Sequence, residues 1–167
     1  FSTASGSILA AAARDVPVKL ISVITAKPTF DLISEPQIQT FQHLKGKQIG
    51  ISTRGGTFEH ITRLILESNG LNPDKDVTIL ALGRQDDLHL ALKSGRISAA
   101  IYSPPRSLLL YRDGFHKLAF SGDYLPHYPI GGIGVTDDLI KKRRGDIQAF
   151  VTATLRGIEY YRQNRSE

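Results

Sequence analysis

Six consecutive residues, Ser52-Thr53-Arg54-Gly55-Gly56-Thr57, bring hydroxyls, a guanidinium and paired glycines into one short run. The apolar segment Lys47-Gln48-Ile49-Gly50-Ile51 precedes the run, and Phe58 to Asn69 follows with apolar residues at helical spacing. The run is therefore expected to be a strand-to-helix turn. At such a turn the first backbone N–H groups of the helix have no helical acceptor, and the helix dipole favours negative charge. Hydroxyls and N–H groups wrap an oxyanion without burying a counter-charge, which limits the desolvation cost. The stretch reads as half of a small-molecule site for a ligand bearing an oxyanion. Arg54 would add a bidentate contact to a sulfonate, carboxylate or phosphate; its competing reading is an arginine that faces solvent. Gly55-Gly56 serves a tight turn under either reading.

Other chemistries fit less well. Gly50 to Thr57 approaches the spacing of a phosphate-binding loop, but Gly56 stands where that loop needs its lysine, which argues against nucleotide hydrolysis. No two of the five histidines, His43, His60, His89, His116 and His127, stand at the i,i+4 spacing of helical zinc motifs. Asp86-Asp87 are neighbours on a helix start, where their side chains diverge and their charge complements the dipole. No serine occupies a G-x-S-x-G elbow. Cysteine is absent, so disulfides, thiolate metal sites and cysteine nucleophiles are excluded. No metal and no cofactor is expected.

The elements that must position the turn follow from periodicity. Ile8 to Arg14 is an alanine-rich helix that Ser5 or Ser7 would cap. Val18 to Ile24 is a β-branched strand, and Phe30 to Ile33 resumes extended structure. Glu35 to Gly46 is irregular. A regular alternation then begins: strand 47–52, helix 57–69 with Phe58, Ile61, Leu64 and Ile65 on one face, and Gly70 as its stop. Strand 76–82, helix 84–94, strand 96–102, helix 104–112 and strand 115–120 follow. Strands alternating with helices predict an α/β fold with parallel sheets, whose ligands sit at the strands' carboxyl ends. Those ends are Ser52-Thr53, Leu82-Gly83 and Tyr102-Ser103. Beyond Asp123 the alternation breaks. Pro129 to Val135 is extended and glycine-rich, Thr136 or Asp137 caps a short basic helix, and 146–164 is a long helix with Ile147, Phe150, Val151, Leu155 and Ile158 on one face.

Composition adds bounds. The chain is basic, with net charge +5 and a pI near 9.6. Apart from Lys141-Lys142-Arg143-Arg144 the basic residues are scattered, so a solvated helix face is expected there and no nucleic-acid partner. No run approaches the roughly 18 apolar residues of a membrane span. Methionine is absent, so Phe1 is not a natural start; the chain is expected to be processed or a fragment, with any signal peptide lying upstream.

The order of features resembles the solute-binding components of bacterial ABC importers for nitrate, sulfonates, taurine and thiamine-precursor pyrimidines. The carrying residues are Leu44-Lys45-Gly46-Lys47-Gln48-Ile49-Gly50-Ile51 with Gly55-Gly56-Thr57, then Gly70-Leu71-Asn72-Pro73-Asp74-Lys75-Asp76-Val77, then Ala91-Leu92-Lys93-Ser94-Gly95-Arg96-Ile97. Two departures stand out: Ser98 where the family usually has aspartate, and Arg54, which is not a fixed family feature.

The resemblance implies a type II periplasmic-binding-protein-like fold, with parallel-sheet lobes joined by two crossings and ligand in the cleft between them. Residues 1–34 and 129–167 would be parts of lobe one, which is incomplete, and 35–128 would be lobe two. The crossings near 30–36 and 128–134 would act as hinges. By resemblance the ligand contacts are Thr3, Ala4 and Ser5 from lobe one, and Ser52, Thr53, Gly56, Thr57 and Tyr102 from lobe two. The implied function is that of a periplasmic, or extracellular and membrane-anchored, substrate-binding component of an ABC importer. It would carry a small anionic or zwitterionic solute such as nitrate, a sulfonate or taurine to a membrane permease. The alternatives are an enzyme on the same fold, for which no convergent acid/base set is visible, and a ligand-sensing domain. An incomplete lobe-one sheet would leave an exposed edge that invites dimerisation.

Overall fold

A computed structural model describes residues 1–164. In chain order the elements are β1 (Ser2–Ala4), α1 (Ser5–Ala12), β2 (Val18–Thr25), β3 (Asp31–Ser34), a short 3-10 turn (Phe41–Leu44) and β4 (Gln48–Ile51). Next come α2 (Thr57–Ser68), β5 (Thr78–Ala81), α3 (Gln85–Lys93), β6 (Ala99–Tyr102), α4 (Arg106–Arg112) and β7 (His116–Phe120). The last are α5 (Ser121–Tyr124), β8 (Gly131–Thr136), α6 (Asp137–Lys142) and α7 (Arg144–Gln163). The chain divides into two units: Phe1–Ala26 together with the chain from Pro129 onward, and Lys27–Tyr128.

The second unit is built on a five-stranded sheet of order β5-β4-β6-β3-β7. β4 runs parallel to both β5 and β6. The sheet is buried on both faces, and period-two alternation divides the side chains between them. Leu32, Ile49, Ile51 and Ile101 join Ile61, Ile65 and Leu66 of α2 in one core. Ile33, Ala100 and Tyr102 join Leu88 and Leu92 of α3 and Leu110 of α4 in the other. Gly50 makes the second contact close: a Cβ there would stand 2.6 Å from Leu88 Cδ2 and 2.5 Å from Ile97 Cδ1. Helix α2 ends as the sequence predicts, with Asn69 as its cap and Gly70 following at φ +76°.

The parallel core of this sheet is extended by antiparallel strands. β3 is antiparallel to both neighbours, with Leu32 opposite Ile101 on β6 and Ala119 on β7. Residues 31–34, expected in lobe one and at a hinge near 30–36, instead lie inside the second unit's sheet. Two ladders hold them, and Phe30 and Ser121 lock the entry: Phe30 N–H donates to Ser121 Oγ at 2.9 Å, and Ser121 N–H to Phe30 O at 2.8 Å. Smaller differences concern helix starts: the first helix begins at Ser5, after a short strand, and α4 begins at Arg106.

The first unit has a three-stranded sheet of order β1-β8-β2, antiparallel throughout, so its expected parallel sheet is corrected. Helix α1 lies on it through Ile8, which comes so close to Gly134 that no side chain fits there. Thr136 caps α6 by accepting the Leu139 N–H at 3.2 Å. Of the apolar face expected on α7, only Ile147 is buried; Phe150 and Leu155 are exposed, and Phe1 stacks on Phe150 at 4.3 Å between ring centroids. β1 and β2 are the outer strands of this sheet. The segment assigned to 129–167 ends in three residues that lie outside the described ones. Among the described residues no helix is long and apolar enough to cross a membrane.

Candidate functional site

The turn between β4 and α2 has the predicted form. Leu82 N–H donates to Ile51 O at 2.9 Å and Gly83 N–H to Ser52 O at 3.0 Å, which fastens the turn to the end of β5. Gly55 adopts φ +71°, and Gly56 caps α2 with extended backbone. A Cβ on Gly56 would meet Thr53 Oγ1 at 2.8 Å, so the second glycine is needed for this close approach. The first helical bond runs from His60 N–H to Gly56 O at 3.1 Å; the N–H groups of Thr57 and Phe58 have no acceptor within the helix. Thr53 is exposed, and Ser52, Gly56 and Thr57 are half-buried.

One oxyanion is already in the turn, and it is the chain's own. Glu59, only 8% exposed, accepts the Gly55 N–H at Oε2 (2.6 Å). Its Oε1 accepts Arg54 Nη1 at 2.9 Å and Arg63 Nε at 3.2 Å. Arg54 also donates through Nη2 to the backbone oxygen of Ile79, and Arg63 through Nη1 to Asp74 Oδ1 at 2.8 Å. The Gly55 N–H, aided by the two arginines and opposed by burial, holds the Glu59 carboxyl below its usual range. Arg54 is thus engaged inside the turn, although its side chain is 56% exposed.

The next two strand ends meet beside this turn. Gln85 Nε2 donates to Ser103 Oγ at 2.9 Å, and Ser103 N–H to Gln85 Oε1 at 3.4 Å, so one side-chain amide joins the loops after β5 and β6. Arg84, Gln85, Asp86, Ser103 and Arg106 line a hollow of about 340 Å³ there. Arg106 pairs with Asp86 across it, and Asp87 accepts the Arg84 N–H at 3.1 Å. On the exposed side of α2 the His60 and Tyr128 rings lie 5.8 Å apart.

Of the residues singled out from the sequence, Ser52, Thr53, Arg54, Gly56 and Thr57 come together in this turn. Tyr102 does not join them at the surface. It is fully buried in the core with α3 and α4; its hydroxyl has no partner, and burial pushes its pKa up. Thr3 and Ser5 belong to the first unit. Thr3 is exposed on β1, whereas Ser5 is fully buried, so its hydroxyl is closed to a solute. Sequence reasoning placed Ser103 at a ligand-side strand end but missed Glu59 and Gln85. Glu59 carried a legible signal, a glutamate at the third helical position after a glycine cap, where it reaches back to the turn. Among the described residues no group of three or more His, Asp or Glu could hold a metal.

Comparison with known proteins agrees with this architecture. A structure from Bordetella bronchiseptica RB50 superposes with a TM-score of 0.83 at 19% identity, covering 96% of this chain and 54% of that one. The alkanesulfonate-binding protein SsuA of Xanthomonas axonopodis pv. citri, bound to MOPS, gives 0.76 at 20% identity, covering 96% and 55%. The desulfurization enzyme DSZB gives 0.66 at 16% identity, covering 99% and 63%. These likenesses show the fold, that of periplasmic binding proteins, and the chain spans about half the length of the first two structures. No curated protein matches. The family described as NMT1/THI5 like matches residues 2–167. With nearly every residue inside that match, the chain belongs to the NMT1/THI5-like family.

Proposed function

We propose that the chain is part of the substrate-binding component of an ABC-type importer, taking a small anionic or zwitterionic solute such as a sulfonate, taurine or nitrate. One observation carries the reading: three strand-end loops of the second unit are bonded to one another along a single edge. The Gly83–Ser52 and Gln85–Ser103 bonds hold them there, and the edge offers hydroxyls and helix N–H groups. Such an edge grips an oxyanion by hydrogen bonds from fixed donors. Binding without chemistry is favoured because Arg54, Glu59, Arg63, Asp86 and Arg106 of this edge are engaged in ion pairs. Family membership and the alkanesulfonate-binding neighbour support the same reading. Its partner would be a membrane permease, and its place outside the cytoplasmic membrane.

The test is a thermal-shift panel of nitrate, sulfate, taurine, alkanesulfonates, bicarbonate and aminopyrimidines. A ligand that binds the native state raises the melting temperature by mass action. A rise of several degrees with one class, lost in Thr57→Val, supports the proposal. A cooperative melt that none of them moves rejects it.

A further inference from the structure

The turn that should receive an oxyanion spends its cation internally. We infer that Glu59 is a specificity-determining residue: by holding Arg54 inside the turn it makes the site favour singly charged or zwitterionic oxyanions over doubly charged ones. The inference rests on the function proposed above and adds the residue that sets charge selection.

Arg54, Arg63, Glu59 and Asp74 form one connected network through the 2.9, 3.2 and 2.8 Å contacts, two cations against two anions. The neighbouring hollow repeats the balance, with Arg84 and Arg106 beside Asp86 and Asp87. A chain of net charge +5 therefore presents a locally neutral edge. What the turn offers a solute is N–H groups and the hydroxyls of Ser52, Thr53 and Thr57. Neutral donors suffice for one diffuse negative charge. A second charge raises the cost of leaving water, and a cation offsets that cost more than neutral donors do. A free guanidinium would be such a cation, and Glu59 removes the nearest one.

The probes are methanesulfonate and sulfate, which share a sulfur oxyanion head and differ by one charge. Calorimetric titration of the whole chain should give tighter binding of methanesulfonate. In Glu59→Gln the charge of Arg54, no longer neutralised by a carboxylate, should shift the ratio toward sulfate about tenfold, the low end expected for one charge-assisted hydrogen bond. Arg54→Gln should bind methanesulfonate within about twofold of the native chain, since that arginine is not the solute's partner. The double variant should return to the native ratio. An unchanged ratio in a folded Glu59→Gln protein overturns the inference, and so does a tenfold loss of methanesulfonate in Arg54→Gln. Should Glu59→Gln fail to fold, Arg54→Gln decides alone, because that guanidinium is more than half exposed. If neither anion binds the native chain while other panel members also fail, the proposed function falls and this inference with it. Methanesulfonate binding with an unmoved ratio sinks the inference alone.

Discussion

Removing the Glu59 carboxylate should loosen the turn by an amount that its partners set. The strongest is the Gly55 N–H at 2.6 Å, a charge-assisted bond to a nearly buried acceptor, for which about 1.5–3 kcal/mol is usual. The arginine contacts count for less, because the Arg54 and Arg63 side chains are 56% and 30% exposed. Solvent screening leaves roughly 0.2–0.5 kcal/mol for each. Glu59→Ala should therefore cost about 2–4 kcal/mol in urea unfolding at neutral pH, followed by far-ultraviolet circular dichroism. Glu59→Gln keeps an acceptor for Gly55 and should cost about 1 kcal/mol. Acid adds a second readout. The carboxyl titrates lower in the folded chain than its ordinary value of 4.5. Its contribution is therefore complete above that value and disappears as the pH falls through the lowered one. The stability gap between the native chain and Glu59→Gln should narrow over that acid window and stay constant above it. A cost below about 0.5 kcal/mol for Glu59→Ala at neutral pH, or a gap that does not narrow in acid, would refute the view that this carboxylate holds the turn.

Three further outcomes follow from the geometry. Ser121→Ala should destabilise by about 1–2 kcal/mol in the same unfolding assay, because the Phe30 N–H loses its acceptor at the mouth of β3. Ile65→Ala, at a fully buried site in the α2 core, should cost about 2–5 kcal/mol and lower the unfolding midpoint without changing its slope. Gly56→Ala should cost about 1–3 kcal/mol through the 2.8 Å approach to Thr53 Oγ1, and adding Thr53→Ala should restore part of it; additive losses would show that the strain lies elsewhere.

Local signals in the sequence led to the features that local signals control. The strand-to-helix turn at 52–57, the stop of α2 at Gly70 and the strand ends that gather at one edge depend on neighbouring residues. What failed depends on distant ones. Asp31–Ser34 is too short to declare its pairing, and its place between β6 and β7 is decided by residues far along the chain. Tyr102 stood at a strand end, as a ligand contact would, yet its burial comes from Leu88, Leu92 and Leu110 on helices whose packing no spacing reveals. Arg54 looked available because nothing in the run 52–57 itself announces its pairing with Glu59 on the following helix. The apolar stripe on α7 was legible, but periodicity states which side is apolar and not whether anything covers it.

The central position of β3 also bears on how the chain is made. Asp31–Ser34 leaves the ribosome before every other strand of its sheet, yet both ladders it needs are supplied by Ala99–Tyr102 and His116–Phe120. At synthesis rates of roughly 5–20 residues per second, its apolar Leu32 and Ile33 wait several seconds for partners. The β4-α2-β5 segment can assemble in that interval, since its parallel pair closes over a short span. The sheet would then be completed by insertion, with β3 threading between strands that arrive last. Pairings this distant in sequence close slowly. Translation speed across residues 99–120, and chaperones that shield a bare strand meanwhile, should therefore govern the yield of folded protein more than changes in α1 or α7.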